Sequence, residues 1–236
     1  MGRSLFLRYY NPISMEKIES HDKVFSDLKP PSKSKLKEFF SLFLKLTIGI
    51  CLLPVIYAVS VCFVDELMKV ELSVSRSFTA GLGGFLGVYL FVWEPVVFYK
   101  KGQKMVEALV KFFSPLVKVA PFVLPIYTMF IFTVFLLLNL WRNVTEYIPV
   151  FMFLIGFSLA LHLVFSAKTL RSKQGDSLKS GYLFGFSLIY ILDVVIVAAF
   201  FNSAFGSFSL LSFLNGSYQI SNDIFAAVFK QLFMVT

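Results

Sequence analysis

GYLFGFSLIYILDVVIVAAFFNSAFG, residues 181–206, carries a single charged side chain, Asp193, near its middle. About 20 mainly apolar residues are what a helix needs to cross the hydrocarbon of a bilayer. Lipid gives the backbone no hydrogen-bond partner, and the stretch lacks the alternation of a barrel strand, so it reads as a membrane helix. Four more stretches have the same character, at residues 39–64, 77–98, 119–141 and 147–166. The 236-residue chain is 57% hydrophobic and 15% charged, with 30 phenylalanines. Soluble domains run nearer about 45–50% and about 25%, so this much apolar surface cannot be hidden in one water-facing globule.

The expected fold is therefore an all-α integral membrane protein, a bundle of five transmembrane helices. Residues 1–38 form a cytoplasmic segment and linker, 39–206 the membrane domain and 207–236 an outer-face tail. Lysine and arginine set the orientation: eight precede the first stretch, the successive loops hold two, five, one and four, and the tail holds one. The alternation puts the N-terminus in the cytoplasm and the C-terminus outside. It also accounts for the net charge of +8 as a match to anionic lipid, with no nucleic-acid partner. KPPSKSKLK at Lys29–Lys37 is a linker that Pro30 and Pro31 keep from being helical. The first long apolar run begins too late for a signal peptide. Cys51 and Cys62 stand eleven residues, about 16 Å, apart on one helix and cannot bridge within it. In the tail, Asn215-Gly216 marks a turn, and Ile220, Ile224, Val228 and Phe229 recur at the spacing of a short interfacial helix.

Polar residues at membrane depth are costly unless partnered. Four stand out: Lys45, Glu94, His162 and Asp193. Lys45 can snorkel to headgroups, Glu94 precedes the kink expected at Pro95, and His162 can bond a neighbouring helix. Asp193 should face the bundle interior, protonated or paired, with Glu94 within reach of His162 or Lys45. In residues 77–98 the pairs Gly83/Gly87 and Ala80/Gly84 give one bare face for close helix approach. Phosphate-cradling loops, nucleophile elbows and Cys/His clusters of zinc spacing are absent from the sequence.

Four motifs in order carry a family resemblance: PVVFYKKGQKMVEA at residues 95–108, APFVLPIY at 120–127, GFSLALH at 156–162 and QGD at 174–176. Together they resemble the polytopic membrane zinc metallopeptidases of the site-2-protease type, in a bacterial branch. The resemblance covers about half of the chain and implies a bacterial inner (plasma) membrane. In that register the family's first zinc histidine falls on Gln103, its catalytic glutamate on Lys104 and its second histidine on Glu107. An amide is a poor zinc ligand, and a lysine can neither act as the general base nor sit comfortably beside the metal. The stretch from Tyr99 to Phe113 reads instead as a basic amphipathic helix on the cytoplasmic face, with Lys100, Lys101, Lys104 and Lys111 towards headgroups.

The expectation is a catalytically inactive, protease-like membrane protein with no metal and no cofactor. It would act as a scaffold, accessory subunit or regulator among other membrane subunits. A small transporter or channel subunit built on Asp193 and Glu94 is the alternative. An active metallopeptidase using Glu107, His162 and Asp176 or Asp193 ranks behind both.

Overall fold

The computed structural model of the protein describes residues 35–91, 96–110, 123–141, 145–173 and 179–233. The chain divides into Met1–Ser41 and Leu42–Thr236; the described part of the first unit is the opening of one helix, and all packing below belongs to the second. Among the described residues every regular element is helical: α1 Lys35–Met68, α2 Leu72–Phe91, α3 Val96–Val110, α4 Ile126–Trp141, α5 Ile148–Lys173, α6 Lys179–Ala204 and α7 Leu210–Phe233. A 3₁₀ turn, Thr145–Tyr147, leads into α5.

Three helical stretches are long and apolar enough to cross a membrane, Phe40–Met68, Thr145–Arg171 and Gly181–Ala204, which is compatible with a membrane protein. The other two expected spans differ from the sequence reading. Residues 119–141 do not form one long helix: α4 starts only at Ile126, because Pro125 offers no N–H and biases Leu124 away from helical dihedrals. The apolar helix that follows has 16 residues. The stretch 77–98 is also displaced. Its helix begins earlier, at Leu72, carries Arg76 and four glycines, and ends at Phe91, while Glu94 and Pro95 lie outside the described residues.

Side-chain contacts fix the helix directions. Gly49 abuts Leu183 and Phe184, Ser60 bonds Tyr190 at 2.7 Å, and Phe63 meets Phe201, so α1 and α6 run parallel. Thr128 bonds Ser158 at 2.9 Å and Phe135 packs on Phe151, which makes α4 antiparallel to α5. Phe132 stacks on Phe200 and Phe135 on Phe205, which makes α4 parallel to α6. Phe85 packs on Phe157 and Tyr89 on Phe165, so α2 and α5 also run parallel, and they cross backbone to backbone. A Cβ added at Gly81 would overlap the carbonyl oxygen of Phe153 and stand 2.9 Å from the Phe157 nitrogen. One added at Gly156 would overlap the carbonyl oxygen of Phe78 and stand 3.1 Å from the Leu82 nitrogen. Each helix thus lays its backbone in the notch left by the other's glycine, the small-residue route to close approach.

The face used is not the one the sequence pairs pointed to. Gly83 and Gly87 have nothing within 4 Å of an added Cβ; Gly81 makes the backbone contact, and Gly84 receives the ring of Phe153 at 3.2 Å.

One end of the bundle is filled by aromatic rings. Phe63 touches Phe78, Phe201, Phe208 and Phe213 with centroids 5.3 to 6.4 Å apart across the cluster, and so joins α1, α2, α6 and α7. Helix α7 corrects the reading of the tail. It is one helix of 24 residues that passes straight through Asn215 and Gly216. Gly216 is no turn residue: an added Cβ would stand 2.9 Å from the Cys62 sulfur, so the glycine lets α7 cross α1 closely. Ser209 caps the helix, its Oγ accepting from the Ser212 N–H at 3.2 Å. Asn202 Oδ1 accepts from the Leu210 N–H at 3.0 Å. Buried Ser217 and Ser221 donate back to Phe213 and Ser217 carbonyls at 2.7 Å, which satisfies their hydroxyls.

Substituting Gly81 or Gly156 by alanine forces apart two packed backbones and is expected to destabilise the protein by about 1–3 kcal/mol or more. Gly83→Ala, facing open space, should leave stability within about 0.5 kcal/mol. Thermal unfolding in mild detergent checks the contrast, and equal effects at the two kinds of site would refute the packing described here.

Candidate functional site

At the opposite end of α5 from the Phe135–Phe151 contact, polar side chains replace rings. Tyr99 enters from α3, His162 and Ser166 from α5, and Asp193 from α6; all four are buried. Tyr99 Oη and Ser166 Oγ are 3.2 Å apart, Ser166 Oγ and His162 Nε2 3.3 Å, and His162 Nε2 and Asp193 Oδ2 3.5 Å. Positions 162 and 166 are one helical turn apart, so α5 presents both to one side. His162 also has a backbone hydrogen bond with Val123, just before α4, and Gln103 and Thr169 lie beside the Tyr99 hydroxyl. The ring of Phe165 stacks on Tyr99 at 5.3 Å and seals the cluster on one side.

Asp193 has no exposure, and among the described residues neither carboxyl oxygen has a hydrogen-bond partner. The His162 imidazole stands against it across the 3.5 Å contact. With one titrating proton on either the imidazole or the carboxyl the pair is neutral overall, which a low-dielectric interior favours. Among the described residues the Gln103 amide nitrogen likewise has no hydrogen-bond partner. It lines a cavity of about 10 Å³ with Tyr99, Gly102, Tyr127, Leu161 and His162, a space no larger than about one water. Gly102 allows this approach of α3 to α4, since an added Cβ would stand 2.6 Å from the Tyr127 ring.

Of the residues singled out from sequence, His162 and Asp193 come together, and Gln103 turns towards them. Lys45 does not join: it is exposed on α1. Lys45 shares His162's depth by residue count, but depth says nothing about which side of a helix a residue occupies. Glu94 and Asp176 lie outside the described residues. Lys104 and Glu107 are exposed on α3, away from the cluster. For the zinc that the family resemblance implies, the donors gathered are thus one imidazole, one carboxylate and one amide. The described residues hold no group of three or more His, Cys, Asp or Glu able to bind a metal. That donor set does not fit a zinc ion, which takes three protein ligands of nitrogen, sulfur or carboxylate type in its catalytic sites.

Sequence reasoning passed over Tyr99 and Ser166. Both were legible in principle: Tyr99 lies one turn from Gln103 on α3, and Ser166 one turn from His162 on α5. It also passed over Glu66, a second buried acid at the aromatic end, 4% exposed. Glu66 pairs with Lys69 three residues on, and its Oε2 accepts from the Ser209 N–H at 3.1 Å. A carboxylate at the start of α7 is favoured by the helix dipole as well as by the hydrogen bond. Matched against protein-family models, curated proteins and solved structures, the chain finds no counterpart in any of the three.

His162→Ala would leave buried Asp193 without the imidazole it contacts and is expected to cost about 3–5 kcal/mol. Asp193→Asn, which removes the charge and keeps the shape, should cost about 1 kcal/mol or less. The double variant should cost clearly less than the sum of the two, as expected for residues in contact. Strictly additive losses in a thermal-unfolding cycle would mean that the two side chains do not interact.

Proposed function

We propose that the protein is a catalytically inactive, protease-like integral membrane protein that works by binding other membrane proteins, as scaffold, accessory subunit or regulator. The observation that carries the reading is the outward face of α2. Ala80 and Gly83 are exposed, and added side chains at Gly83 and Gly87 would meet nothing within 4 Å. Gly83 and Gly87 are four residues apart, the spacing at which two membrane helices come into backbone contact. The same helix already uses that device on its inner side, at Gly81, to hold α5. A transmembrane helix of a partner protein fits the outer side in the same way.

Two observations support the absence of proteolysis. Gln103 is the only position of the degenerate zinc motif that turns towards His162, and its amide is a poor ligand. Lys104, where the family has its general base, is an exposed cation.

In this reading the chain crosses the membrane five times with its N-terminus in the cytoplasm, in a bacterial inner membrane. The alternating lysine and arginine counts support that orientation. So do the helix directions, with α1, α4 and α6 running one way and α2 and α5 the other. The polar cluster then lies towards the cytoplasmic side, where α3 places its lysines. A transport role for Asp193 is the second reading; a fully buried acid without a hydrogen-bond partner among the described residues favours it.

Two outcomes are expected. Gly83→Leu with Gly87→Leu should leave the protein folded but abolish co-purification of its membrane partner from the native host, while wild type and Gly83→Ala retain it. Elemental analysis of the purified wild-type protein should return well under one zinc per chain, and a stoichiometric value would restore the peptidase reading.

A further inference from the structure

Helix α7 is docked only over its first half. Glu66, Phe63 and Cys62 on a single turn of α1 meet Ser209, Phe213 and Gly216 across two turns of α7. The helix therefore crosses α1 obliquely and continues past it. From Phe225 to Phe233 every residue is exposed, including Phe225, Val228, Phe229, Leu232 and Phe233. Phe225, Phe229 and Leu232 share one side of this half (i, i+4, i+7), the pattern of a helix lying with one face in lipid.

A different stripe is unaccounted for. Gln219, Asp223, Ala226, Lys230 and Phe233 recur at intervals of four, three, four and three, the seam spacing along which one helix packs on another. The stripe holds one acid and one base, Asp223 and Lys230, on either side of the small pair Ala226-Ala227. Seven residues apart, about 10.5 Å of helix rise separates them, so they cannot pair within the helix. Neither takes part in an ion pair among the described residues.

We propose that the distal half of α7 is a self-association surface, on which a second copy of this chain docks antiparallel. The two-fold axis passes beside Ala226-Ala227, where small side chains allow close approach, and Asp223 of each copy meets Lys230 of the other. A two-fold contact is self-complementary, and an acid and a base set symmetrically about a small-residue centre meet that requirement twice at once. The geometry also suits a membrane. Two helices lying in the plane of the bilayer surface and related by an axis along its normal are necessarily antiparallel. Their apolar sides then face the same lipid. The inference is independent of the chain's catalytic status and of what binds α2.

The test is charge exchange in the full-length protein, with association followed by light scattering in mild detergent and by crosslinking in lipid bilayers. Wild type should be dimeric. Asp223→Lys and Lys230→Asp should each weaken the dimer at least about tenfold, because each places like charges together at both contacts. The double variant, Asp223→Lys with Lys230→Asp, should regain most of that loss. Both positions are exposed, and the regain also controls for folding. An Ala226→Cys variant in a Cys51→Ser, Cys62→Ala background should form an interchain disulfide, whereas Phe225→Cys on the lipid-facing side should not. A monomeric wild type, single variants that associate like wild type, or a double variant no better than the singles would overturn the proposal. So would crosslinking that is equal at positions 225 and 226.

Discussion

The crossing of α2 and α5 constrains everything else in the bundle. Two glycines, Gly81 and Gly156, face each other's backbones so closely that neither helix tolerates a Cβ there. Helix–helix association in lipid draws little on the hydrophobic effect, since lipid tails are as apolar as leucine. Contact between backbones supplies dispersion that larger side chains would prevent. Because the crossing lies midway along α2, it sets what that helix meets on either side. On one side it brings Phe78 into the ring cluster around Phe63; on the other it brings Phe85 against Phe157 and Phe165, beneath Tyr99.

The two ends solve different problems. The aromatic end gathers Phe63, Phe78, Phe201, Phe208 and Phe213 in edge-on and tilted contacts, arrangements the ring quadrupole favours. Its buried acid, Glu66, pairs with Lys69 and accepts from the N–H at the start of α7. The polar end is less complete. His162 and Asp193 are in contact, but the carboxyl oxygens and the Gln103 amide nitrogen have no hydrogen-bond partner among the described residues. Buried polar groups nearly always have a partner, so the open carboxyl and amide atoms set this end of the bundle apart from the other.

The two surfaces proposed for binding lie where small or unpaired residues are exposed. Gly83 and Gly87 open outward from α2, and Asp223 and Lys230 stand clear on α7. Neither surface includes a residue of the buried cluster.

The helical class was legible in the sequence, and three helices long and apolar enough to cross a membrane are compatible with the membrane character expected from it. Long apolar runs such as residues 181–206 admit no other backbone solution in lipid, whatever they pack against. Asp193 was legible as a buried polar group for the same reason: mid-bilayer exposure costs too much. What the sequence could not decide was direction around a helix axis and partnership between helices. Small-residue spacing marked Gly83 and Gly87, yet Gly81 makes the contact, because which side of α2 meets α5 depends on where Gly156 stands. Asn215-Gly216 has the local chemistry of a turn, but Glu66, Asn202 and Ser209 start a helix upstream, and Cys62 requires glycine at 216 for close crossing. Lys45 and His162 shared a depth and not a face. Depth follows from counting residues along one chain, whereas contact is a relation between two helices, and only tertiary packing sets it.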